Sequence, residues 1–192
     1  MSNHIERIEL HLTEAGEVLL SSVELTSQIA EVAEVLIKSI KSGGTIFWCG
    51  NGGSAADSQH LAAELIGRYK FERRAISSIA LTTDTSILTA ISNDFGFEFV
   101  FSRQLEGLAR SGDILVALTT SGESKSILNV VEKARDLNVQ SVMLTSIKYN
   151  GNQGDYVLRV PSTKTELIQH AHTAIGHIIC ELIENEVFNL GN

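Results

Sequence analysis

The sequence predicts an α/β fold, a three-layer αβα sandwich around a five-stranded parallel sheet with additional helices at both ends. Short apolar runs alternate along the chain with longer segments in which apolar residues recur at helical spacing. The short runs have no polar face, as strands require when helices cover both faces of a sheet. With one proline, no repeat and no low-complexity tract, the 192 residues are predicted to form a single domain, residues 1–192, with a helical N-terminal extension over about 1–42.

Two helices are predicted before the first strand, at residues 3–20 and 24–41. The second has a helical stripe of apolar residues, namely Leu25, Ile29, Val32, Ala33, Leu36, Ile37 and Ile40. The run Ser42-Gly43-Gly44 ends it. Together with the last helix, these two exceed what a five-stranded sheet needs for cover. We therefore expect their apolar stripes to pack against another copy of the chain, the alternative being that they close the core of the monomer.

The remaining elements follow from the alternation of apolar runs and helical patterns. The predicted strands lie at residues 45–49, 76–81, 113–118, 139–144 and 156–160. The predicted helices between and after them lie at residues 54–69, 85–91, 97–109, 124–137 and 165–188. Ser54 and Ser124 are the candidate N-caps of the helices that begin with them.

Composition excludes several classes of protein. The net charge of −8 argues against non-specific nucleic-acid binding, which needs Lys and Arg to neutralise phosphates. No apolar run approaches the ~20 residues of a membrane span, and the N-terminus lacks the pattern of a secretion signal. Cys49 and Cys180 lie in apolar segments without metal or disulfide spacing, so we expect buried free thiols. These features predict a cytoplasmic protein.

Three short polar runs are candidate ligand-binding loops: Asn51-Gly52-Gly53-Ser54, Asn93-Asp94, and Thr119-Thr120-Ser121-Gly122-Glu123-Ser124. The first and third lie between a predicted strand and a predicted helix, where open parallel sheets bind ligands. Backbone N–H groups and hydroxyls can hold a phosphate there without Lys or Arg. We therefore predict a phosphorylated polyol as the ligand. The alternative is an ordinary strand-to-helix turn with a serine cap in each case.

Histidines and one carboxylate are the candidate chemical groups. His60 and Glu64 lie four residues apart on one predicted helix, and so on one face. The last helix carries four further candidates, namely Gln169, His170, His172 and His177. Spacing alone does not choose between these histidines. We expect His170 and His172 to lie at a solvated helix start, whereas His177 could be either functional or a satisfied core histidine.

Four of these residues could form a zinc site with mixed nitrogen and oxygen ligands: His60, Glu64, Gln169 and His177. Because glutamine is a weak ligand, such a site would face substrate rather than stabilise the fold. The alternative for His60 and Glu64 is an ordinary pair on a helix surface.

Six motifs occur in a characteristic order: Cys49-Gly50-Asn51-Gly52-Gly53-Ser54, His60-x-x-x-Glu64, Gly67-Arg68-Tyr69, Ser92-Asn93-Asp94-Phe95-Gly96-Phe97, Thr120-Ser121-Gly122-x-Ser124, and Gln169 with His177. Together they resemble the sedoheptulose 7-phosphate isomerase (phosphoheptose isomerase) family, whose members are sugar-isomerase (SIS) domain enzymes with a flavodoxin-like sheet. The resemblance covers nearly the whole chain. It implies an intramolecular oxidoreductase that forms D-glycero-D-manno-heptose 7-phosphate, the first step of the ADP-heptose pathway towards lipopolysaccharide or capsule heptose.

The resemblance further implies a cytoplasmic homotetramer with active sites at subunit interfaces and one Zn²⁺ per subunit. It places the metal ligands on His60, Glu64, Gln169 and His177, and the acid–base pair on Glu64 and His177. It places sugar-phosphate contacts on Asn51, Gly52, Gly53, Ser54, Glu64, Asn93, Asp94, Thr119, Thr120, Ser121, Ser124 and Gln169. The expected partners are the sugar phosphate and other copies of the chain, with no nucleic acid and no membrane.

The main alternative is a non-catalytic SIS-domain regulator or adaptor that binds a sugar phosphate. Such a protein needs the loops but not both Glu64 and His177, so their joint presence favours an enzyme. An isomerase of another phosphorylated sugar is a second alternative. A nucleotide-dependent enzyme is disfavoured, because neither the dinucleotide nor the P-loop glycine pattern occurs.

Overall fold

The computed structural model describes residues 2–189. Its regular elements, in chain order, are α1 (Ser2–Ser21), α2 (Thr26–Lys41), β1 (Ile46–Gly50), α3 (Gly53–Ile66), β2 (Ser78–Ala80), α4 (Thr85–Asp94), α5 (Ser102–Leu108), β3 (Ile114–Leu118), α6 (Lys125–Asp136), β4 (Gln140–Ser146), β5 (Tyr156–Val160) and α7 (Thr165–Phe188). Two 3₁₀ turns, Ser22–Leu25 and Phe97–Phe99, precede α2 and α5. The predicted strand and helix alternation is confirmed.

All five strands are parallel, in the order β2-β1-β3-β4-β5. The connection after β1 adds β2 on one side, and the connection after β2 returns across β1 to place β3 on the other side. The strand order therefore reverses between β1 and β3, which is the point where doubly wound sheets bind ligands. The loops that follow these two strands are the first and third of the predicted phosphate loops.

Helices cover both faces of the sheet, as the continuous apolar strands require. In β1, Ile46 and Trp48 belong to the core beneath α2, α3 and α7, whereas Phe47 and Cys49 belong to the core beneath α5 and α6. Both cysteines are buried free thiols, as predicted. Within residues 2–189, the structure has no helix both long enough and apolar enough to cross a membrane.

Of the two predicted N-caps, Ser54 is wrong and Ser124 is confirmed in its position. α3 begins at Gly53 with Gly52 in the N-cap position at φ 57°, so Ser54 is a buried residue inside the helix rather than its cap. Ser124 does occupy the N-cap position of α6, but its side chain makes no capping hydrogen bond. Its hydroxyl accepts a hydrogen bond from Asn51 instead.

Three further predictions are corrected. α3 ends at Ile66 instead of continuing to Tyr69, and residues 67–74 have no regular secondary structure. Asn93-Asp94 is not a loop, because both residues form the end of α4, which stops before Gly96 at φ 103°. The helix predicted at 97–109 is divided into a 3₁₀ turn and α5.

Candidate active site

The loop after β1 is joined directly to the loop after β3. The Asn51 amide donates hydrogen bonds to the hydroxyls of Ser124 and Ser126, at 2.8 and 3.0 Å. These two hydroxyls lie 3.2 Å apart, at the start of α6. Asn51 therefore holds the two loops together across the point where the strand order reverses.

The loop 119–124 is shaped by its own hydroxyl groups. The Thr119 hydroxyl accepts a hydrogen bond from the Gly122 N–H at 3.1 Å, and the Ser121 hydroxyl accepts one from the Glu123 N–H at 3.2 Å. Gly122 adopts φ +73° and its α-carbon lies against the ring of Tyr149, which leaves no room for a Cβ. Glu123 is exposed, so its carboxylate is not enclosed by the loop.

Glu64 and His177, which are far apart in sequence, meet in one cluster with His60. The Nε2 atoms of His60 and His177 lie 2.7 Å apart, and His60 Nε2 lies 3.6 Å from Glu64 Oε1. One possible ligand atom from each of the three residues lies within 4.8 Å of the others. The cluster is partly open, since His60 is exposed while Glu64 and His177 are half-buried.

Helix packing produces this meeting. His60 and Glu64 lie one turn apart on α3, and His177 lies on α7, which packs against α3. Gly176 faces Leu61 at this crossing, and a Cβ on Gly176 would overlap the Leu61 side chain. A small residue here lets the helices approach closely, which brings His177 beside His60.

The predicted metal ligands are only partly brought together. A tetrahedral zinc ion with bonds of 2.0–2.2 Å would separate its ligand atoms by roughly 3.3–3.6 Å. The 3.6 Å between His60 Nε2 and Glu64 Oε1 agrees with that geometry, whereas the 2.7 Å between the Nε2 atoms of His60 and His177 is shorter. The donor set of two imidazoles and a carboxylate fits zinc once the two imidazoles move apart. Gln169 lies eight residues before His177, about 12 Å along the helix axis, and its amide lies against Gly53.

Asn93 and Asp94 lie at the exposed end of α4, where the Asn93 amide donates to the Asp94 carboxylate at 2.8 Å. Among residues 2–189, no hydrogen bond joins them to the two loops or to the histidine cluster. Within one copy of the chain, Asn93 and Asp94 are therefore separate from the other residues of the site.

The two remaining histidines of α7 differ in burial. His170 is exposed, as expected for a solvated helix start. His172 is fully buried and its Nε2 donates to the Thr145 carbonyl at 3.1 Å, so the expectation of solvent exposure is wrong. Burial lowers the pKa of His172 to about 4, opposed in part by this hydrogen bond. The apolar stripe of α7, which also includes Ile168 and Ile175, could have shown this burial in the sequence.

Asp57 is a carboxylate at the site that the sequence analysis missed. Its Oδ1 accepts a hydrogen bond from the Thr173 hydroxyl at 3.0 Å, while its Oδ2 is buried without a hydrogen-bond partner among the described residues. Burial raises the pKa of Asp57, and the Thr173 hydroxyl together with nearby His60 and His170 opposes the rise. Asp57 precedes His60 by three residues on α3, so helical spacing could have identified it.

Comparison with known proteins gives the same family as the motifs. The SIS domain family matches residues 12–146. The phosphoheptose isomerase of Akkermansia muciniphila is 48% identical over 191 residues, covering 98% of this chain and 99% of that protein. The chain belongs to the phosphoheptose isomerase family of SIS-domain proteins.

Solved structures agree with this assignment to the phosphoheptose isomerase family. The phosphoheptose isomerase GmhA from Neisseria gonorrhoeae matches with a TM-score of 0.87 and 36% identity, covering 94% of this chain and 98% of that one. A phosphoheptose isomerase from Francisella tularensis matches with a TM-score of 0.90 and 32% identity, covering 95% and 98%. The αβα sandwich with its 2-1-3-4-5 sheet is therefore the SIS fold of this family.

Proposed function

We propose that this chain is an aldose–ketose isomerase that converts sedoheptulose 7-phosphate to D-glycero-D-manno-heptose 7-phosphate. The product supplies the heptose of lipopolysaccharide or capsule through the ADP-heptose pathway. The observation that carries the proposal is the meeting of the Glu64 carboxylate with the His177 imidazole, beside two linked loops rich in hydroxyl and N–H groups. The similarity to phosphoheptose isomerases along nearly the whole chain supports the choice of sugar.

The reaction moves one proton between adjacent carbons through an enediol. A base removes a proton from C1 of the ketose while the C2 carbonyl oxygen gains one, and the resulting enediol then loses its O1 proton and receives a proton at C2. We assign the carbon-bound proton to Glu64 and the hydroxyl protons to His177, although the two roles could be exchanged. One carboxylate and one imidazole in a single cluster can serve both tasks.

The two loops would hold the ends of the substrate. We assign the phosphate to the loop 119–124 and the start of α6, where Thr120, Ser121 and Ser124 offer hydroxyls. The loop 51–54 would contact the sugar hydroxyls. Binding energy from the distant phosphate keeps the reacting carbons in line with the acid–base pair, which lowers the entropy cost of the proton transfer.

Zinc belongs to the same proposal, with one ion per subunit held by His60, Glu64, Gln169 and His177. When bound, zinc supplies positive charge that stabilises the enediolate oxygen. The two imidazoles and the carboxylate that already meet support this assignment. Participation of Gln169 requires more than a turn of its amide, because the amide lies against Gly53 and Gln169 precedes His177 by about 12 Å along α7.

We further propose a cytoplasmic homotetramer with the sites at subunit interfaces. α1 presents a set of exposed apolar side chains that suits burial against another copy, namely Ile5, Ile8, Leu10, Leu12, Leu19 and Leu20. Asn93 and Asp94 would then reach the site of a neighbouring copy, which accounts for their separation from the loops of their own chain. The family resemblance supports both the assembly and the location.

Incubation with sedoheptulose 7-phosphate, with and without a chelator, tests the proposal directly. We expect aldose formation by the unaltered chain and a loss of roughly 10²–10⁴-fold in kcat for Glu64→Gln, with sugar-phosphate binding retained. Glu24→Gln makes the same chemical change at an exposed residue outside the site and should not alter turnover. Binding without conversion under either condition would favour a sugar-phosphate regulator. Normal turnover of Glu64→Gln would remove that residue as the base.

A further inference from the structure

The irregular segment 67–74, between α3 and β2, is anchored by a buried ion pair. Arg73 Nε donates to Glu184 Oε1 at 2.8 Å, and the two side chains are only 2% and 1% exposed. Glu184 lies near the end of α7, and Arg73 lies near the end of the segment. A charged pair this deeply buried is tolerated only when further hydrogen bonds satisfy its remaining atoms.

The carboxylate of Glu184 obtains these bonds from the backbone of the segment. It accepts the N–H groups of Tyr69, Lys70 and Phe71, at 3.0, 2.7 and 3.0 Å. Four N–H donors thus converge on one carboxylate, counting that of Arg73. This holds the backbone at Tyr69 against α7 although the segment has no regular secondary structure.

The guanidinium of Arg73 fastens the same segment to α3. Its Nη2 donates to the Glu64 carbonyl and its Nη1 to the Leu65 carbonyl, both at 2.8 Å. Carbonyls in the last turn of a helix have no partner within that helix. The Leu65 carbonyl also accepts the Ile76 N–H at 3.0 Å, whereas among the described residues the Glu64 carbonyl accepts a hydrogen bond only from the guanidinium. The ion pair therefore connects the end of α3, which carries Glu64, to α7, which carries His177.

Between these anchors, the ring of Tyr69 lies on the imidazole of His177. Their centroids are 5.5 Å apart and their planes are inclined by 28°, a stacked arrangement. On another side, the His177 imidazole meets His60 edge-on, with centroids 4.9 Å apart. Among the described residues, the Tyr69 hydroxyl makes no hydrogen bond, so the flat face of the ring is what His177 contacts.

We propose that Tyr69, held in place by the buried Arg73–Glu184 pair, is a positioning residue that sets the orientation of the His177 imidazole. This inference rests on the proposed role of His177 in proton transfer. The ring acts through His177, and among the described residues its hydroxyl makes no hydrogen bond to the loops proposed to bind phosphate. Its loss should therefore lower kcat and leave KM almost unchanged. Misplacement of a catalytic group by about 1 Å can cost 10²-fold in rate.

The first experiment compares three variants by steady-state kinetics with sedoheptulose 7-phosphate. Tyr69→Leu removes the flat face, and we expect kcat to fall by roughly 10–100-fold with KM within a factor of about three. Tyr69→Phe keeps the face and should restore kcat. Tyr156→Leu is the matched control, because Tyr156 is also a partly buried tyrosine packed against the same core but lies on β5. It should keep the unaltered kcat.

A double-mutant cycle with His177→Gln separates positioning from a general structural effect. If Tyr69 acts through His177, Tyr69→Leu will have almost no further effect on kcat in the His177→Gln background. An undiminished further loss in that background, or an equal loss in Tyr156→Leu, would overturn the inference. Should Tyr69→Leu fail to fold, Tyr69→Met, which has similar reach and no flat face, replaces it in every arm.

The same assay distinguishes failure of this inference from failure of the proposed function. Absence of conversion by the unaltered chain would reject the isomerase function, and the inference with it. Conversion with normal turnover of His177→Gln would reject the inference and the acid–base role assigned to His177, but not the isomerase function, because the ring would then have no catalytic group to position. Conversion that depends on His177 but not on the Tyr69 ring would leave the isomerase function intact and reject the positioning role.

Discussion

Removal of the charge on Glu184 should destabilise the fold far more than removal of the charge on Glu181, which lies one turn earlier on α7. Glu184→Gln leaves the Arg73 guanidinium, which is 2% exposed, without its counter-ion. It also places an amide NH₂ group near N–H groups that now donate to a carboxylate. Breaking a buried pair by removing one partner costs about 3–5 kcal/mol.

For a domain of this size, that cost lowers the melting temperature by roughly 6–20 °C. The control is Glu181→Gln. Glu181 pairs with Lys70 at 2.7 Å from the same helix to the same segment, but the two side chains are 38% and 49% exposed. Exposed pairs contribute little to stability, so Glu181→Gln should leave the melting temperature nearly unchanged. Differential scanning calorimetry at pH 7 measures both variants, and equal shifts would refute the assignment of the stabilisation to the buried pair.

The pH dependence gives a second measurement on the same residue. Burial tends to raise the pKa of Glu184, but the hydrogen bonds from Lys70, Tyr69, Phe71 and Arg73 outweigh it and lower the pKa below its ordinary value of 4.5. A carboxyl whose pKa is lower in the folded state stabilises the fold above the unfolded pKa. This contribution is lost as the pH falls below 4.5 towards the lowered value. Glu184→Gln should therefore show a weaker loss of stability in this range than the unaltered chain.

Two further predictions concern the phosphate loop and the buried histidine. Gly122→Ala places a Cβ at φ +73° against the Tyr149 ring. We expect the free energy of unfolding to fall by about 1–2 kcal/mol or more, measured by calorimetry, and KM to rise, measured by steady-state kinetics. Gly107→Ala is the control and should change neither quantity, because no atom lies within 4 Å of the new Cβ. For His172, with its pKa lowered from 6.5 to about 4, the unfolded chain binds a proton first as the pH falls. Stability should therefore drop by on the order of 3 kcal/mol between pH 6.5 and 4, and denaturant titrations should show a smaller drop in His172→Gln.

Periodic elements were predicted well because their signal is local. α7 was predicted at residues 165–188 and β5 at residues 156–160, and both match the structure. Errors occur where a group outside the helix determines the backbone conformation at its end. α3 was predicted to reach Tyr69, but it ends at Ile66. The guanidinium of Arg73 donates hydrogen bonds to the carbonyls of Glu64 and Leu65 at that end.

For the candidate site too, spacing along the sequence predicted some features and not others. Spacing on a single helix predicted that His60 and Glu64 share a face, and they do. Spacing could not choose His177 over His170, a choice that came from the family resemblance. The expectation of a solvated environment for His172 was wrong, although the apolar stripe that includes Ile168 and Ile175 indicates burial.

By itself, the sequence determined the α/β class, the positions of the two hydroxyl-rich loops and the family, since periodicity and short motifs are properties of neighbouring residues. Only the tertiary structure decided that α3 and α7 approach closely enough for His60 to meet His177, and that a carboxylate near the end of the chain holds the backbone around Tyr69. The physical reason is that a contact between residues more than a hundred positions apart depends on the packing of whole helices, here through a glycine at the crossing and a buried ion pair.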